Sequence, residues 1–397
     1  MHPAHALRGT KSRRLSGRQI VLGITGSIAA VETVKLAREL IRHGAEVHAV
    51  FSEEAEKIVH PEALRFATGH DVTTVLDGRV QHVSLCGDVE DRADLLLIAP
   101  ATANTISKIA CGIDDSPVTT VASTALGTGI PLLIVPAMHG TMYRHPIVQQ
   151  NIAKLKEIGV EFVEPVFEEH KAKLAELETV VEAVLRRLGP LDLAGRRVLV
   201  IAGATREPLD EVRVLTNRSS GRTGIELAKA AYERGAAVEL WAGHVTEQLP
   251  AHVAMERFET AAELAGRLEA TSHDIVLVPA AISDYAPPRQ KGKISSKRPR
   301  LQVTLQPTPK VLPSIRAKLL VAFKAEAGVG RAELVRRAKG LLSNRQVSFV
   351  VANDVRQVTE DRTEVLLVSR RSAPKLLRGP KSEVAHGILD AVVRAIR

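Results

Sequence analysis

Short β-rich runs alternate with helix-period segments along this chain, and the whole alternation occurs twice. In the first half the strand candidates are 19–24, 45–51, 94–99, 131–135 and 160–163. Helical patterns separate them at 28–43, 103–111, 116–125 and 145–158, and a further helix at 173–187 closes the series. Val31, Val34, Leu36, Leu40 and Ile41 give the first helix an apolar side at helical spacing. After a Pro- and Gly-containing joint, LGPLDLAGRR (188–197), the pattern restarts with RVLVIAG (197–203). Strand candidates follow at 236–241, 274–279, 319–323, 347–351 and 364–368, with helices near 222–234, 260–270, 331–342 and 383–396. Such strand–helix–strand units close as parallel sheets covered by helices on both faces. The expectation is therefore an α/β chain of two Rossmann-like domains, 18–189 and 190–397, behind a basic tail of residues 1–17.

The 397 residues are ample for two separate cores. A hydrophobic content of 45% with 25% charged residues is that of a globular chain. The formal charge of +9 suggests anionic ligands, but aromatics make up only 3%, too few to stack single-stranded bases, so no nucleic-acid partner is expected. Cys86 and Cys111 have no metal-type spacing and cannot build a disulfide framework, which fits a reducing cytoplasm. Arg8, Lys11, Arg13 and Arg14 before IVLGITGSIAAV (20–31) imitate a secretion signal. That run, however, contains Gly23, Thr25, Gly26 and Ser27 and passes straight into a helix, so neither secretion nor a membrane span is expected.

Both halves open on strand, glycine turn and helix, the usual phosphate-receiving place of α/β proteins. The turns are GITGSIAA (23–30) and GATREPLD (203–210). Neither is G-x-G-x-x-G and no Walker motif occurs, which disfavours a standard nicotinamide dehydrogenase or a P-loop NTPase. Two more polar loops, APATAN (99–104) and PAMHGTMY (136–143), follow strand candidates, so three strand ends converge on one sheet edge. On the residues alone, each loop reads as a ligand cradle or as an ordinary tight turn. On the same ground His82 reads first as a structural histidine, and His139 as a catalytic, a ligand-holding or a merely structural group.

GITGSIAA, QHVSL (81–85), LLIAPATAN (96–104) and the P-A-M-x-x-x-M-Y turn resemble the flavin-dependent cysteine decarboxylases, phosphopantothenoylcysteine decarboxylase among them. The resemblance implies a flavodoxin-like domain that binds flavin mononucleotide (FMN) in a trimer-based homo-oligomer, which becomes a dodecamer if the ligase domains also pair. Its FMN contacts would be Gly26, Ser27, Ile28, Ser52, Thr102, Asn104 and Met138, with His82 as catalytic base. An imidazole with a pKa of about 6.5 suits proton transfer at neutral pH. The implied chemistry is oxidation of a cysteinyl thiol, loss of CO2, and return to the thiol level by the reduced flavin. Two departures stand out. His139 occupies the place of the family's asparagine, which makes it a candidate to hold the substrate carboxylate or to supply a proton. The flap region EPVFEEHKAKLAE (164–176) lacks the family's cysteine, and Cys111 lies in an earlier helix.

In the second half, GATREPLDEVRVLTNRSSGRTG (203–224) resembles phosphopantothenate–cysteine ligase. PAAISDY (279–285), KGKIS (291–295), PTPKVL (307–312), AFKAE (322–326) and VANDV (351–355) follow in the order of that family. The implied reaction joins cysteine to 4′-phosphopantothenate through an acyl-cytidylate made from CTP, with Mg²⁺ on the triphosphate. Asn217 would face the acyl oxygen, Lys293 the α-phosphate, and Asp284 the metal. Ser219, Ser220, Gly221, Arg222, Ala280, Ala281, Phe323, Arg345 and Asn353 would complete the nucleotide and substrate contacts. Arg206 and Asp210 would pair to brace the loop, and Asp354 could contact ligand or cap a strand. Lys293-Ile294-Ser295-Ser296 departs from the family's K-I-K-K, so some basic contacts would be lost. Together the halves imply a bifunctional enzyme of coenzyme A biosynthesis; the rival is a flavin-binding regulatory protein of the same superfamily.

Overall fold

The computed structural model describes residues 2–168, 171–269, 272–295 and 300–397. Position 270 of the expected 260–270 helix, Ser296, and residues 169–170 of the flap region fall outside the described residues. The chain divides into two compact units, Met1–Gly189 and Pro190–Arg397.

In the first unit the strands are β1 (Gln19–Ile24), β2 (Glu46–Phe51), β3 (Leu95–Ala101), β4 (Leu132–Pro136), β5 (Met138–His139), β6 (Glu161–Phe162), β7 (Val166–Glu168) and β8 (Lys171–Lys173). Five form a parallel sheet in the order β2–β1–β3–β4–β6, the flavodoxin arrangement whose switch point lies between β1 and β3. Successive residues of β1 serve opposite cores. Ile20, Leu22 and Ile24 pack with Leu36, Leu40 and Ile41 of helix Thr33–Arg42, whereas Val21 packs with Ile106 and Val121 on the other face. Val31, expected on the apolar side, is half exposed, because Ile28–Glu32 is a tighter 3₁₀ turn that shifts the helical phase. A small antiparallel sheet, β5–β8–β7, lies beside the turn after β4.

Residues 2–17 are not a loose tail. Helix Pro3–Leu7 buries Ala4, and Leu15 is 1% exposed in the first core. The last carbonyls of helix Thr33–Arg42 have no partners within the helix, and this segment supplies them. Gly9 N–H donates to Ile41 O (3.1 Å), Lys11 N–H to Arg42 O (3.0 Å) and Leu15 N–H to His43 O (2.9 Å). Basic composition suggested solvation; backbone capping decides otherwise.

The second unit contains β9 (Arg197–Ala202), β10 (Arg206–Pro208), β11 (Val214–Thr216), β12 (Ala237–Ala242), β13 (Ala254–Arg257), β14 (His273–Val278), β15 (Tyr285–Ala286), β16 (Gln306–Pro307), β17 (Ala317–Glu326), β18 (Val347–Asp354), β19 (Arg362–Ser369) and β20 (Lys375–Pro380). Its main sheet runs β13–β12–β9–β14–β17–β18–β19–β20, parallel through β18 and antiparallel at β19 and β20. The parallel part is the Rossmann order, with its switch point between β9 and β14. Val198 and Val200 face the core shared with helices Arg222–Glu233 and Lys381–Ile396, while Leu199 and Ile201 face the opposite one. Among the described residues, no helix is long and apolar enough to cross a membrane.

Candidate functional site

In the first unit, the carboxyl ends of neighbouring parallel strands bring together most of the expected flavin contacts. Gly26, Ser27 and Ile28 follow β1, Ser52 follows β2, Thr102 and Asn104 follow β3, and Met138 follows β4. Hydrogen bonds tie these ends to one another. Ser52 N–H donates to Ile24 O (3.0 Å), Thr102 N–H to Thr25 Oγ1 (3.1 Å), Thr25 Oγ1 to Pro100 O (2.8 Å) and Ala137 N–H to Ala101 O (3.0 Å). Ser52 and Thr102 also cap the helices that follow them, accepting from Ala55 N–H and Thr105 N–H at 3.3 Å each. Each such cap is worth about 1 kcal/mol. Ser27 stands in the cap position of Ile28–Glu32 without making a side-chain cap bond, so its hydroxyl remains for a ligand.

His82 is carried by the short helix Gln81–Cys86, which packs on helix Pro117–Gly127. Its Nδ1 is buried and has no hydrogen-bond partner among the described residues. The preceding Val80 is β-branched yet left-handed (φ 48°, ψ 48°), a conformation that costs about 1–3 kcal/mol and marks functional segments more often than others. Gln81 braces this turn by donating from Nε2 to Asp77 Oδ1 (2.9 Å). An orphaned imidazole nitrogen and a free Ser27 hydroxyl fit a polar, hydrogen-bonding cofactor such as a flavin nucleotide.

PAMHGTMY forms β5 and a single helical turn, Gly140–Tyr143. His139 pairs across the strands with Lys171 of the flap hairpin, and its exposed side chain caps nothing. Tyr143 Oη donates to Glu164 Oε2 (2.8 Å), and its ring meets Phe167 edge-on at 5.4 Å. Burial, then the hydrogen bond to Glu164, push the Tyr143 hydroxyl well above its ordinary pKa. Burial pushes the Glu164 carboxyl up, but hydrogen bonds from Lys156 and Tyr143 outweigh it and hold it below the usual range. The turn is thereby fixed to the base of the flap. Cys86 is buried, which pushes its thiol up to about 12, whereas Cys111 is exposed.

In the second unit, the β10–β11 hairpin carries Asn217, whose Nδ2 donates to Ala281 O at 3.1 Å, across from the end of β14. Gly203 is left-handed (φ 82°), and a Cβ there would stand 2.6 Å from His244 O, so the turn after β9 requires glycine. Asp210 occupies the hairpin's turn. It is 3% exposed and accepts from Val212 N–H (2.8 Å), Arg213 N–H (2.6 Å), Arg213 Nη1 (3.0 Å) and Ile294 N–H (3.0 Å). The bond from Ile294 leads the effects that hold its carboxyl below the ordinary range. Because Ile294 adjoins Lys293, one carboxylate joins the Asn217 hairpin to the lysine loop. The expected Arg206–Asp210 pair does not form: Arg213 takes Asp210, and Arg206 Nη2 lies 3.1 Å from His244 Nε2.

Ser219, Ser220 and Gly221 precede helix Arg222–Glu233, whose N-terminus has no side-chain cap. They line a cavity of about 450 Å³ together with Arg222, Glu247 and Lys381. Arg222 pairs with Asp361 (2.6 Å). Lys381 is 7% exposed, and its ammonium makes no hydrogen bond or ion pair among the described residues. Burial, then Arg222, hold its pKa below that of an ordinary lysine, against the pull of Glu247, Asp361 and Glu226. Sequence reading missed this residue. The available signal was a lysine at the first position of a helix, where the dipole opposes a cation.

Ala280 and Ala281 follow β14, and Phe323 and Asn353 lie near the carboxyl ends of β17 and β18, at the same sheet edge. Asp284 is exposed and paired with Lys310 at 2.6 Å, a single carboxylate that could share a cation with phosphate oxygens. Lys293 is exposed. Asp354 caps a turn, accepting from Gly328 N–H and Arg356 N–H, so its role is structural. Arg345 stands before the amino end of β18, and Asn353 lies roughly 20 Å of strand beyond Val347, so the fold does not bring Arg345 to this edge.

A flavodoxin-ordered unit with polar loops at its β1–β3 edge, followed by a Rossmann-ordered unit with a serine- and glycine-containing turn before a helix, defines a two-domain α/β protein of the doubly wound class. Residues 8–189 match the family described as Flavoprotein, and residues 193–396 match the DNA/pantothenate metabolism flavoprotein C-terminal domain. The chain is 48% identical to the coenzyme A biosynthesis bifunctional protein CoaBC of Thermococcus kodakarensis, with 100% of both chains covered. It is 39% identical to CoaBC of Methanocaldococcus jannaschii, over 100% of this chain and 98% of that one. CoaBC of Vibrio vulnificus is 33% identical over 86% and 88%. The chain belongs to the CoaBC family of bifunctional coenzyme A biosynthesis proteins.

Proposed function

We propose that this chain carries out two steps of coenzyme A biosynthesis. The second unit ligates cysteine to 4′-phosphopantothenate at the expense of CTP, and the first decarboxylates the product to 4′-phosphopantetheine. The observation that carries the reading is the joining of the Asn217 hairpin and the Lys293 loop at Asp210. It keeps an amide donor and a cation on one scaffold beside an anion-binding turn.

In the ligase half, the pantothenate carboxylate attacks the α-phosphate of CTP and pyrophosphate leaves. The cysteine amine then attacks the acyl carbonyl and CMP leaves. Lys293 neutralises charge gathering at the α-phosphate, and Asn217 donates to the acyl oxygen. Ser219, Ser220, Gly221, Arg222 and Lys381 hold phosphate groups. Asp284 holds Mg²⁺ in company with the triphosphate.

In the decarboxylase half, Gly26, Ser27, Ser52, Thr102, Asn104 and Met138 hold FMN. FMN supplies a reversible two-electron oxidation of the cysteinyl thiol. His82 moves the proton at the reacting cysteine, and His139 donates a hydrogen bond to the substrate carboxylate. Overall, CO2 is lost and one proton is gained. Exposed Ile28, Met142 and Phe167 around this edge support a homo-oligomer that shares its active sites. The test supplies phosphopantothenate, cysteine, Mg²⁺ and each nucleoside triphosphate in turn, following pyrophosphate and CO2. Pyrophosphate release without dependence on phosphopantothenate would refute the ligase reading. A ligated product that never loses CO2 in FMN-loaded protein would refute the decarboxylase reading.

A further inference from the structure

Glu46 and His48 are two residues apart on β2, so they project to one face of this edge strand, while Val47 and Ala49 fill the core on the other. His70 reaches the same place from the far side. Gly69 (φ 78°) ends helix Pro61–Thr68, and His70 N–H donates to Thr68 Oγ1 at 3.2 Å. The chain then runs along the outer edge of β2, held by Phe51 N–H to Thr73 O (2.8 Å) and Thr73 N–H to Ala49 O (3.0 Å).

As a result, His70 Nε2 lies 3.3 Å and His48 Nε2 3.7 Å from Glu46 Oε1, and the three atoms fall within 4.8 Å of one another. Both Nε2 atoms are buried and neither has a hydrogen-bond partner among the described residues. Buried polar atoms are almost always satisfied, so two orphans aimed at one carboxylate call for an explanation. A tetrahedral metal with ligand distances of about 2.0–2.1 Å sets adjacent ligand atoms roughly 3.3 Å apart, close to the spacing here.

We propose that Glu46, His48 and His70 are the three protein ligands of a Zn²⁺ ion, with water as the fourth. Two imidazoles and one carboxylate suit zinc rather than magnesium, which takes oxygen ligands in octahedral geometry. Both histidines are partly buried. The groups facing them, besides Glu46, are Arg8, His5 and Asp71. Glu46 Oε2 also faces Arg8 Nη1 at 3.6 Å. The ion therefore clamps three segments: edge strand β2, the 69–73 segment and, through Glu46, the packed N-terminus. It lies toward the amino end of β2, whereas the flavin loops gather at the carboxyl ends, so its role is structural.

The test uses full-length protein stripped with chelator and dialysed, titrated with ZnCl2 by calorimetry and with CoCl2 by visible absorption. The expected result is one equivalent per chain, a four-coordinate cobalt spectrum displaced by zinc, and a zinc-dependent rise in Tm. The double variant His48→Ala/His70→Ala should lack that equivalent, and Glu46→Gln should weaken it by at least about tenfold. Absence of saturable zinc, or a six-coordinate cobalt spectrum, in the unmutated protein would overturn the proposal whether or not the variants fold. So would an equivalent of unchanged affinity in the double variant, which would place the ion elsewhere, for instance on His2 and His5.

Discussion

Lys381 offers a sharp test because its two proposed consequences have opposite signs. A lysine that is only 7% exposed, with no ion pair among the described residues and with Arg222 nearby, burdens the unliganded protein. A phosphate in the adjoining cavity of about 450 Å³ relieves that burden. Lys381→Met keeps the volume and removes the charge. A hydrogen bond between a charged donor and a phosphate contributes about 1.5–3 kcal/mol, so the KM of one phosphate-bearing substrate should rise roughly 10- to 150-fold. Without substrate, Tm should hold or rise, by about 2–4 °C for each kcal/mol gained in a domain of this size. Pyrophosphate release measured against CTP and against phosphopantothenate, with parallel thermal melts, reads both effects. The charge-dependent affinity is present below the Lys381 pKa and fades as pH rises through it. Since that pKa is held down, the loss should come below the ordinary lysine range of about 10.4. A drop in Tm with both KM values unchanged would refute the argument and make Lys381 a packing residue.

Four further outcomes are expected. His82→Asn should keep its bound flavin yet stop CO2 release; full decarboxylation would remove His82 as the base. Lys293→Gln should release pyrophosphate at least about 100-fold more slowly, the usual size of a lost charge-stabilising contact, as read in single-turnover assays. Asp210 has a depressed folded pKa, so its contribution to stability is full above the unfolded value of about 3.9 and is lost as pH falls through the folded one. Acid titration of Asp210→Asn, followed by circular dichroism, should lack that loss. Finally, native protein should expose one thiol per chain to an aromatic disulfide reagent, at Cys111, and a second, Cys86, only after unfolding.

Much of this architecture was written in hydrophobic period. The parallel strands that carry the sites were legible because buried strands such as LLLIAPA are continuous apolar runs ended by loop residues. Less legible were elements whose pairing is non-local. The β5–β8–β7 sheet consists of two- and three-residue strands too short to show a period, and residues 9–15 pack because a helix end needs donors. For the sites, contiguous motifs such as SSGR and APATAN could be read directly. Relations between distant segments could not: Asp210 found Ile294 rather than Arg206, and Arg345 proved to stand at the wrong end of β18. Lys381 escaped for the same reason, since its importance lies in what surrounds it, far away in sequence.

The bond from Ile294 to Asp210 makes a single peptide amide a gauge of the ligase machinery. That hydrogen can exchange with solvent only when the lysine loop parts from the hairpin turn. Deuterium uptake at Ile294 therefore records how often the two halves of the activating apparatus separate. Slowing of that uptake by a bound nucleotide would measure, in free energy, how firmly the substrate draws them together.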